Sequence, residues 1–226
     1  MTGSPLALHV LFMVGPVPIT APVVVTWALM AALGLAARLT TRSLSVMPSR
    51  GQAAIELIVV AIADQIRATI RVAPGRYLPL IGTLFLFILS SNLLGVVPTF
   101  EAPTMFIYVT VGCALVSFCY YNFQGMRVQG PIGYVKHFWG PVWFIGPFML
   151  LIEIISHLIR PMSLSIRLYA NMYAGDQVTE NFFHLAPVLL PVPTILLHIF
   201  VSLIQAFIFT MLSVVYVGAI VAHEDH

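Results

Sequence analysis

Charged residues are scarce in this 226-residue chain, which has ten Lys and Arg and eight Asp and Glu. Charged residues make up 8% of the sequence, against about 25% in an average soluble domain, and 60% of the residues are hydrophobic. So few charges cannot cover the surface of a soluble protein. The composition therefore predicts an integral membrane protein. The net charge of +2 says little about partners, and we expect none that is a nucleic acid.

Cysteine is nearly absent, and no arrangement typical of an enzyme or metal site is found. Cys113 and Cys119 lie in one apolar segment, about 120° apart around a helix, so we interpret both as packing residues. His9, His223 and His226 are interpreted as terminal surface residues. The spacing of polar residues gives no metal site, no nucleotide-binding loop and no nucleophile with its base. We expect no cofactor and no catalysis by this chain alone.

The sequence also lacks internal repeats, low-complexity tracts and any stretch that indicates a soluble domain. Its amino terminus has neither the basic region nor the small-residue cleavage site of a signal peptide, so we interpret it as part of the mature protein. These absences favour a single membrane domain over residues 1–226.

Long apolar segments dominate what is present. A membrane-spanning helix needs about 20 mainly apolar residues, and segments of this kind lie near 17–37, 77–97, 104–123 and 142–160, followed by a tract over 162–222. We predict an all-α membrane protein with about five membrane-embedded helices, the last two long and strongly tilted. Residues 52–72 differ, because charged side chains interrupt a helical apolar pattern that consists of Ile55, Ile58, Val59, Ile62, Ile66 and Ile70. This spacing predicts an amphipathic helix at the membrane interface.

Basic residues predict the orientation in the membrane. Six arginines flank the amphipathic helix, and two more bases lie in a predicted polar loop from Gly125 to Pro141; these are Arg38, Arg42, Arg50, Arg67, Arg71, Arg76, Arg127 and Lys136. Basic loops favour the cytoplasmic side. The Val97–Thr104 loop has Glu101 and no base, as expected for the opposite side. With five crossings, the amino terminus is predicted outside and the Glu224–Asp225 end inside.

Polar side chains interrupt the last apolar segments. They are Glu153, Ser156, His157, Arg167, Asn171, Asp176, Glu180, His184, His198 and Gln205. Arg167 matters most, because an arginine near the bilayer centre costs roughly 2.5–3.5 kcal/mol on insertion scales and its charge cannot be discarded. Such groups should face protein, a partner or a water-filled cavity. We interpret them as an ion path; for His157, Glu180 and His184, near helix ends, contact with interfacial water is an equal alternative.

Helical geometry separates these residues into faces. A step of about 100° per residue places Asn171 nearly on the face of Arg167, and Asp176 about 180° away from it. Glu153 would lie within about 40° of Arg167 on a continuous helix, although Pro161 argues against that continuity. On the last helix His198 and Gln205 share a face, so a polar line can run beside Arg167 if the two helices pack antiparallel.

Three sequence motifs resemble those of the a subunit of the membrane (Fo) sector of bacterial F-type ATP synthases. The central one is Arg160-Pro-Met-Ser-Leu-Ser-Ile-Arg167-Leu-Tyr-Ala-Asn171-Met-Tyr-Ala-Gly175, which is preceded by Ser91-Asn-Leu-Leu-Gly-Val-Val-Pro98 and followed by Leu203-Ile-Gln-Ala-Phe-Ile-Phe209. The resemblance covers the chain from about residue 17 onward. It is most specific in the last two helices.

This resemblance implies a stator subunit that carries no ATP chemistry itself. It implies that residues 142–222 face a rotating ring of c subunits, with Arg167 between two aqueous half-channels, and that b-type peripheral stalk subunits and the rest of the synthase are partners. By position, Asp176 and His198 resemble the outer half-channel, Glu153 and Ser156 the cytoplasmic one, and Asn171 and Gln205 polar supports. The family more often has Glu at the Asp176 position. The implied ion is a proton, with sodium as the alternative.

Two other classes of function remain open on the residues alone. A self-contained transporter or channel would use Arg167 to bind an anionic substrate, and such folds often have paired repeats, which this chain lacks. A purely structural membrane anchor would leave the buried arginine without a purpose. The short amino terminus and basic loops favour a bacterial plasma membrane over a mitochondrial inner membrane.

Overall fold

Six long helices form most of the molecule in the computed structural model, which describes residues 10–14, 17–42, 50–70, 74–97, 102–139, 146–185 and 191–221. The helices are α1 (Ala21–Thr41), α2 (Arg50–Thr69), α3 (Leu78–Leu94), α4 (Ile107–Trp139), α5 (Gly146–Leu185) and α6 (Pro191–Val221). Single 3-10 turns over Pro74–Arg76 and Pro103–Met105 precede α3 and α4. The predicted helical class is confirmed. Glu101, Arg71 and the Glu224–Asp225 end, used above for orientation, lie outside the described residues.

A short antiparallel hairpin precedes α1 and was not predicted. Its strands, β1 (Val10–Val14) and β2 (Val17–Thr20), pair Val10 with Thr20 and Val14 with Val17, with an irregular register between Val10 and Phe12. Thr20 has the extended conformation (φ −92°, ψ 156°) of a residue that precedes a helix, and Pro22 follows in the first turn, where its missing N–H is not needed. The hairpin therefore leads directly into α1.

Helix α2 has the predicted amphipathic pattern and ends three residues before the predicted boundary at residue 72. Ile62, Ile66 and Ile70 on one side are buried against the rest of the molecule, whereas Asp64 and Arg67 on the other are exposed and form an ion pair of 3.2 Å. An exposed pair of this kind contributes at most about 1 kcal/mol. Packing of the isoleucines is therefore what holds α2 in place.

The predicted polar loop from Gly125 to Pro141 is wrong for most of its length. Helix α4 continues from Ile107 to Trp139 and is kinked at Gly130, whose φ of 74° lies in the left-handed region that glycine adopts without a Cβ clash. Glycine, proline and polar residues in this stretch were interpreted as a break between helices. The backbone is helical on both sides of Gly130, and the helical conformation is interrupted at that residue.

Proline 161 does not divide the chain into two helices, contrary to the sequence-based argument. Helix α5 runs for 40 residues from Gly146 to Leu185 with Pro161 inside it. Proline removes one backbone hydrogen bond, but packing against neighbouring helices allows it inside long apolar helices. The boundary predicted at residues 160–162 is therefore wrong, and Glu153, Arg167 and Asp176 lie on one helix.

Two clusters of buried side chains hold the helices together. The first joins α2, α3, α4 and α6 and consists of Ile62, Ile66, Ile70, Tyr77, Ile81, Tyr121, Val214 and Val217. The second joins α3, α4, α5 and α6 and consists of Leu84, Ile88, Ala102, Cys113, Leu164, Leu168, Met172, Ala206 and Phe209. Cys113 is thus a packing residue, as predicted, and Cys119 is exposed.

Buried hydrogen bonds connect the same helices. Ser117 Oγ donates to Ser213 Oγ at 2.9 Å between α4 and α6, and Thr104 Oγ1 donates to Asn92 Oδ1 at 2.8 Å. In lipid, where apolar surface gains little from leaving the solvent, close packing and such bonds carry helix association. Among the described residues three helices are long and apolar enough to cross a membrane, with segments at Ala21–Thr41, Phe148–Leu185 and Val192–Ala219; α3 is a shorter apolar helix.

Candidate functional site

Helices α5 and α6 pack antiparallel, which confirms the condition that the sequence set for a continuous polar line. Three contacts follow one another along the pair: Gly175 lies against His198, Ser202 Oγ is 3.9 Å from Met172 Sδ, and Asn171 bonds Gln205. As residue numbers rise on α6 they fall on α5. We call these three contacts the α5–α6 polar interface.

Asn171 and Gln205 form the hydrogen bond of this interface that lies nearest to Arg167. Asn171 Nδ2 donates to Gln205 Oε1 at 2.8 Å. Gln205 is 2% exposed, and its Nε2 has no hydrogen-bond partner in the described part of the chain, whereas Asn171 lies at the exposed edge of the pair. The two residues predicted as polar supports are therefore brought together, with the buried glutamine held by one of its two polar atoms.

His198 lies against the backbone of α5. A Cβ added at Gly175 would come within 3.2 Å of His198 Cδ2 and Nε2, so glycine at this position gives the imidazole its room. His198 is 5% exposed, and its Nε2 finds no hydrogen-bond partner among the described residues. Asp176 follows Gly175 directly and is half-buried. His198 therefore lies beside the segment of α5 that carries Asp176.

Arg167 lies on a different side of α5. Its neighbour Leu168 is fully buried against α6 and α3, whereas Arg167 is turned about 100° from that face and is exposed. It makes no ion pair or hydrogen bond with any described residue. Within the part of the chain that the structure describes, the Arg167 guanidinium is therefore unpaired on the outer face of α5.

Glu153 and Ser156 lie on the same edge of α5 as Arg167, since the helix is continuous. Glu153 is 14 residues before Arg167, which corresponds to about 21 Å along the axis. Both side chains are half-buried. Asp176 lies nine residues beyond Arg167 and about 180° around the helix. The two predicted carboxylates are therefore at opposite ends of α5 and on opposite edges of it.

The structure distinguishes the three residues whose role the sequence left open, His157, Glu180 and His184. His157 is buried between aromatic rings of α4, with its ring centroid 5.5 Å from that of Phe118 and 5.1 Å from that of Tyr121, and its Nε2 is 2.9 Å from Asn122 Oδ1. It is a helix-packing residue. Glu180 and His184 are exposed at the end of α5.

Three contact residues were not identified as site residues from the sequence. Gly175 was quoted only as the end of a motif, Ser202 lies one turn after His198, and Asn122 is an isolated amide in an apolar segment. The last two could have been found from their spacing, because isolated polar residues in apolar helices usually face another helix. No cluster of three His, Cys, Asp or Glu side chains that could hold a metal ion occurs within the described ranges.

These features define a class: a polytopic helical membrane protein with a polar helix–helix interface and an unpaired arginine beside it. A family profile described as "ATP synthase A chain" matches residues 23–218. The chain therefore belongs to the ATP synthase A chain family, as its motifs predicted. Members of this family are non-catalytic membrane subunits of the Fo sector, so the prediction of no ATP-hydrolysing chemistry in this chain is confirmed.

Individual relatives are bacterial proteins named ATP synthase subunit a. The chain is 56% identical to the one from Koribacter versatilis over 147 residues, which are 65% of this chain and 60% of that protein. It is 46% identical to the Solibacter usitatus protein over 177 residues, 78% of this chain and 76% of the relative. A Bradyrhizobium protein, subunit a 2, is 42% identical over 221 residues, 98% of this chain and 97% of the relative. The chain is a bacterial membrane protein.

Proposed function

We propose that the chain is the stator subunit of a rotary ATP synthase and passes ions between two aqueous half-channels and the carboxylates of a turning c-subunit ring. The observation that carries this proposal is the exposed, unpaired Arg167 on the outer face of α5, within a segment apolar enough to cross a membrane. A cation in that position needs an anion that the described part of the chain does not supply.

The magnitudes support a carboxylate partner on another subunit. Placing an arginine near the bilayer centre costs roughly 2.5–3.5 kcal/mol, and the guanidinium stays protonated. A carboxylate at about 4 Å would contribute about 4 kcal/mol at an effective dielectric constant of 20, enough to offset that cost. Because the pairing is reversible, each ring carboxylate is attracted, held in its ionised form and then replaced by the next. The fixed charge also repels a cation that would cross directly from one half-channel to the other.

In the proposed path, Asp176 and His198 belong to the outer half-channel and Glu153 and Ser156 to the cytoplasmic one. Their separation supports this division: the two carboxylates lie on opposite edges of α5 and on either side of Arg167 along its axis. His198 Nε2, without a described partner, is a position from which a proton can pass to or from a neighbouring group. The shorter Asp176, where relatives more often have Glu, leaves room for one added water.

Asn171 and Gln205 act as polar supports for Arg167 in this proposal. Their 2.8 Å hydrogen bond fixes the rotation of α5 against α6 one turn from the arginine. A rotation of α5 by one residue, about 100°, would turn Arg167 into the interface. The bond therefore keeps the guanidinium directed toward the ring.

The proposed arrangement in the membrane follows the basic residues and the helix lengths. We propose five crossings, with the amino terminus outside, the carboxyl terminus in the cytoplasm and α2 along the interface. At about 1.5 Å per residue the 40-residue α5 is about 60 Å long, twice the thickness of the hydrocarbon core, so it must tilt strongly or extend beyond it. Residues 142–222 then face the c ring, and b-type stalk subunits contact other helices. The proposed ion is a proton, with sodium as the alternative.

The test replaces Arg167 in the assembled complex. Arg167→Ala and Arg167→Lys are assembled in membranes beside Arg67→Ala, which removes an exposed arginine already paired with Asp64. ATP-driven ion pumping into vesicles and the subunit content of the purified complex are both measured. We expect normal assembly in all three, loss of pumping in both Arg167 variants, and pumping in Arg67→Ala.

Pumping by Arg167→Ala near the unmodified level would show that the proposed mechanism is wrong. Lysine is included because it keeps a cation but can lose its proton when buried. The alternative, a self-contained transporter, predicts solute flux through vesicles that contain this chain alone, and the stator proposal predicts none.

A further inference from the structure

A large apolar groove lies between α1, α3 and α4, away from the α5–α6 polar interface. It has a volume of about 630 Å³ and is open along one side. On α1 its lining extends from Val23 to Ala37, a distance of about 21 Å for 14 residues. We call this feature the α1 groove.

The few hydroxyl groups in its lining already have partners. Thr26 Oγ1 donates to the carbonyl of Pro22 at 2.7 Å, and Thr83 Oγ1 donates to the carbonyl of Leu80 at 2.9 Å. Tyr108 Oη, at one end, is 3.4 Å from Thr20 Oγ1. The walls between these groups therefore offer an occupant mainly apolar contact.

Helix α1 packs loosely over this groove. Pro22 is the single buried residue of α1, and Trp27 and Met30, which line the groove, are 59% and 57% exposed. Protein interiors are packed as densely as organic crystals, so an apolar space of this size in a membrane fills with hydrocarbon.

One end of the α1 groove is basic. Tyr108, near the start of α4, contacts Thr20 before α1, whereas Tyr120, further along α4, donates to the carbonyl of Arg76 before α3. The end of α1 and the start of α3 therefore both lie at the opposite end of the groove from Tyr108. Arg38 follows Ala37, Arg42 follows one turn later, and Arg76 lies four residues before Leu80. All three arginines are exposed and make no ion pair with the described residues. Helices α1, α3 and α4 contain no Asp or Glu, so nothing within them neutralises this end.

We propose that the α1 groove binds one anionic phospholipid, with an acyl chain between α1, α3 and α4 and the phosphate beside Arg38, Arg42 and Arg76. The apolar length of the groove determines where the acyl chain lies, and the arginines at its basic end favour a negatively charged headgroup. One basic side chain near the headgroup favours an anionic lipid over a zwitterionic one by about fivefold. The expected selectivity for an anionic over a zwitterionic lipid is therefore at least about fivefold.

The first experiment uses the fluorescence of Trp27, inside the groove. The full chain, with Trp139→Phe and Trp143→Phe as background, is placed in vesicles that contain phosphatidylglycerol or phosphatidylcholine brominated in the distal half of one acyl chain. Bromine quenches a tryptophan that it contacts. We expect Trp27 to be quenched at a several-fold lower fraction of brominated phosphatidylglycerol than of brominated phosphatidylcholine.

Matched variants separate this site from the general lipid surface. Gly34→Leu fills the groove, since a Cβ at Gly34 meets no atom within 4 Å, and Gly82→Leu is its control, with equally open space on α3 outside the lining. The pair Arg38→Gln and Arg42→Gln removes headgroup charge. We expect both the groove-filling and the charge variants to reduce the preference from at least about fivefold to within about twofold, and Gly82→Leu to keep it.

Equal quenching by the two lipids, or a preference that Gly34→Leu leaves unchanged, would overturn the proposal. Native mass spectrometry of the purified complex supplies the second measurement, with phosphatidylglycerol expected to be retained by the unmodified complex and lost from Gly34→Leu. If the isolated chain binds the lipid but the complex excludes it, a partner subunit covers the groove and the proposal is wrong for the working protein.

Discussion

The Asn171–Gln205 hydrogen bond has unequal ends, and this inequality predicts which substitution costs more stability. Gln205 is 2% exposed and already has one polar atom, Nε2, without a described partner, whereas Asn171 lies at the exposed edge of α5. Asn171→Ala would leave the whole buried amide of Gln205 unsatisfied. Gln205→Leu would remove both buried polar atoms and leave only the amide of Asn171, which lies at the exposed edge of α5 and is not enclosed by protein.

The expected magnitudes follow from that difference. An unsatisfied buried polar group costs about 1–3 kcal/mol, so Asn171→Ala should lower the free energy of unfolding by that amount. Hydrogen bonds between membrane helices average about 0.6 kcal/mol in double-mutant cycles, so Gln205→Leu should cost about that much. The free energy of unfolding of the double variant should be close to that of Gln205→Leu alone. Leucine at position 205 removes the amide that Asn171→Ala leaves without a hydrogen-bond partner.

The assay is reversible unfolding of the full chain in mixed detergent micelles, followed by far-ultraviolet circular dichroism. Each single variant, the double variant and the unmodified chain are compared at the same micelle composition. The reasoning is refuted if Gln205→Leu costs as much as Asn171→Ala, or if the double variant is no more stable than Asn171→Ala.

Two further predictions concern α5. Gly175→Val should lower the free energy of unfolding by about 1–3 kcal/mol more than Gly82→Val, since its Cβ would meet the His198 ring at 3.2 Å while Gly82 has open space; equal losses in thermal unfolding would contradict the packing described. Arg160→Gln should cost about 0.5–2 kcal/mol, because its guanidinium carbon lies 5.2 Å from the ring centroid of Tyr216. That cost should vanish in a Tyr216→Leu background, and its persistence there would rule out the cation–π contact.

The sequence predicted which polar residues share a helix face, because helical geometry is local. The spacing of seven residues between His198 and Gln205 was enough to put both on one buried face of α6. The choice of partner was not predictable, since Asn171 and Gln205 are 34 residues apart and their contact depends on how α5 and α6 are set against each other. Spacing within one helix predicts which residues share a face, whereas the packing of the helices determines which residues that face contacts.

The errors have a common physical origin. Glycine, proline and polar residues often mark the ends of helices, so the stretch after Gly125 was predicted to be a loop, although the chain is helical on both sides of Gly130 up to Trp139. Likewise Pro161 was predicted to end a helix because it removes one backbone hydrogen bond. The other hydrogen bonds and packing contacts of the 40-residue helix stabilise it by more than that one bond would. In both cases helical structure extends further than the local signals predicted.

The continuity of α5 through Pro161 has a consequence for its charges. If Arg167 and a carboxylate of its own helix lay on one face one turn apart, their attraction of about 4 kcal/mol at 4 Å and an effective dielectric constant of 20 would neutralise the guanidinium within the chain. Instead Asp176 is about 180° around the helix and Glu153 about 21 Å away along it. One continuous helix therefore holds both carboxylates out of reach of Arg167, and among the described residues its guanidinium is left unpaired.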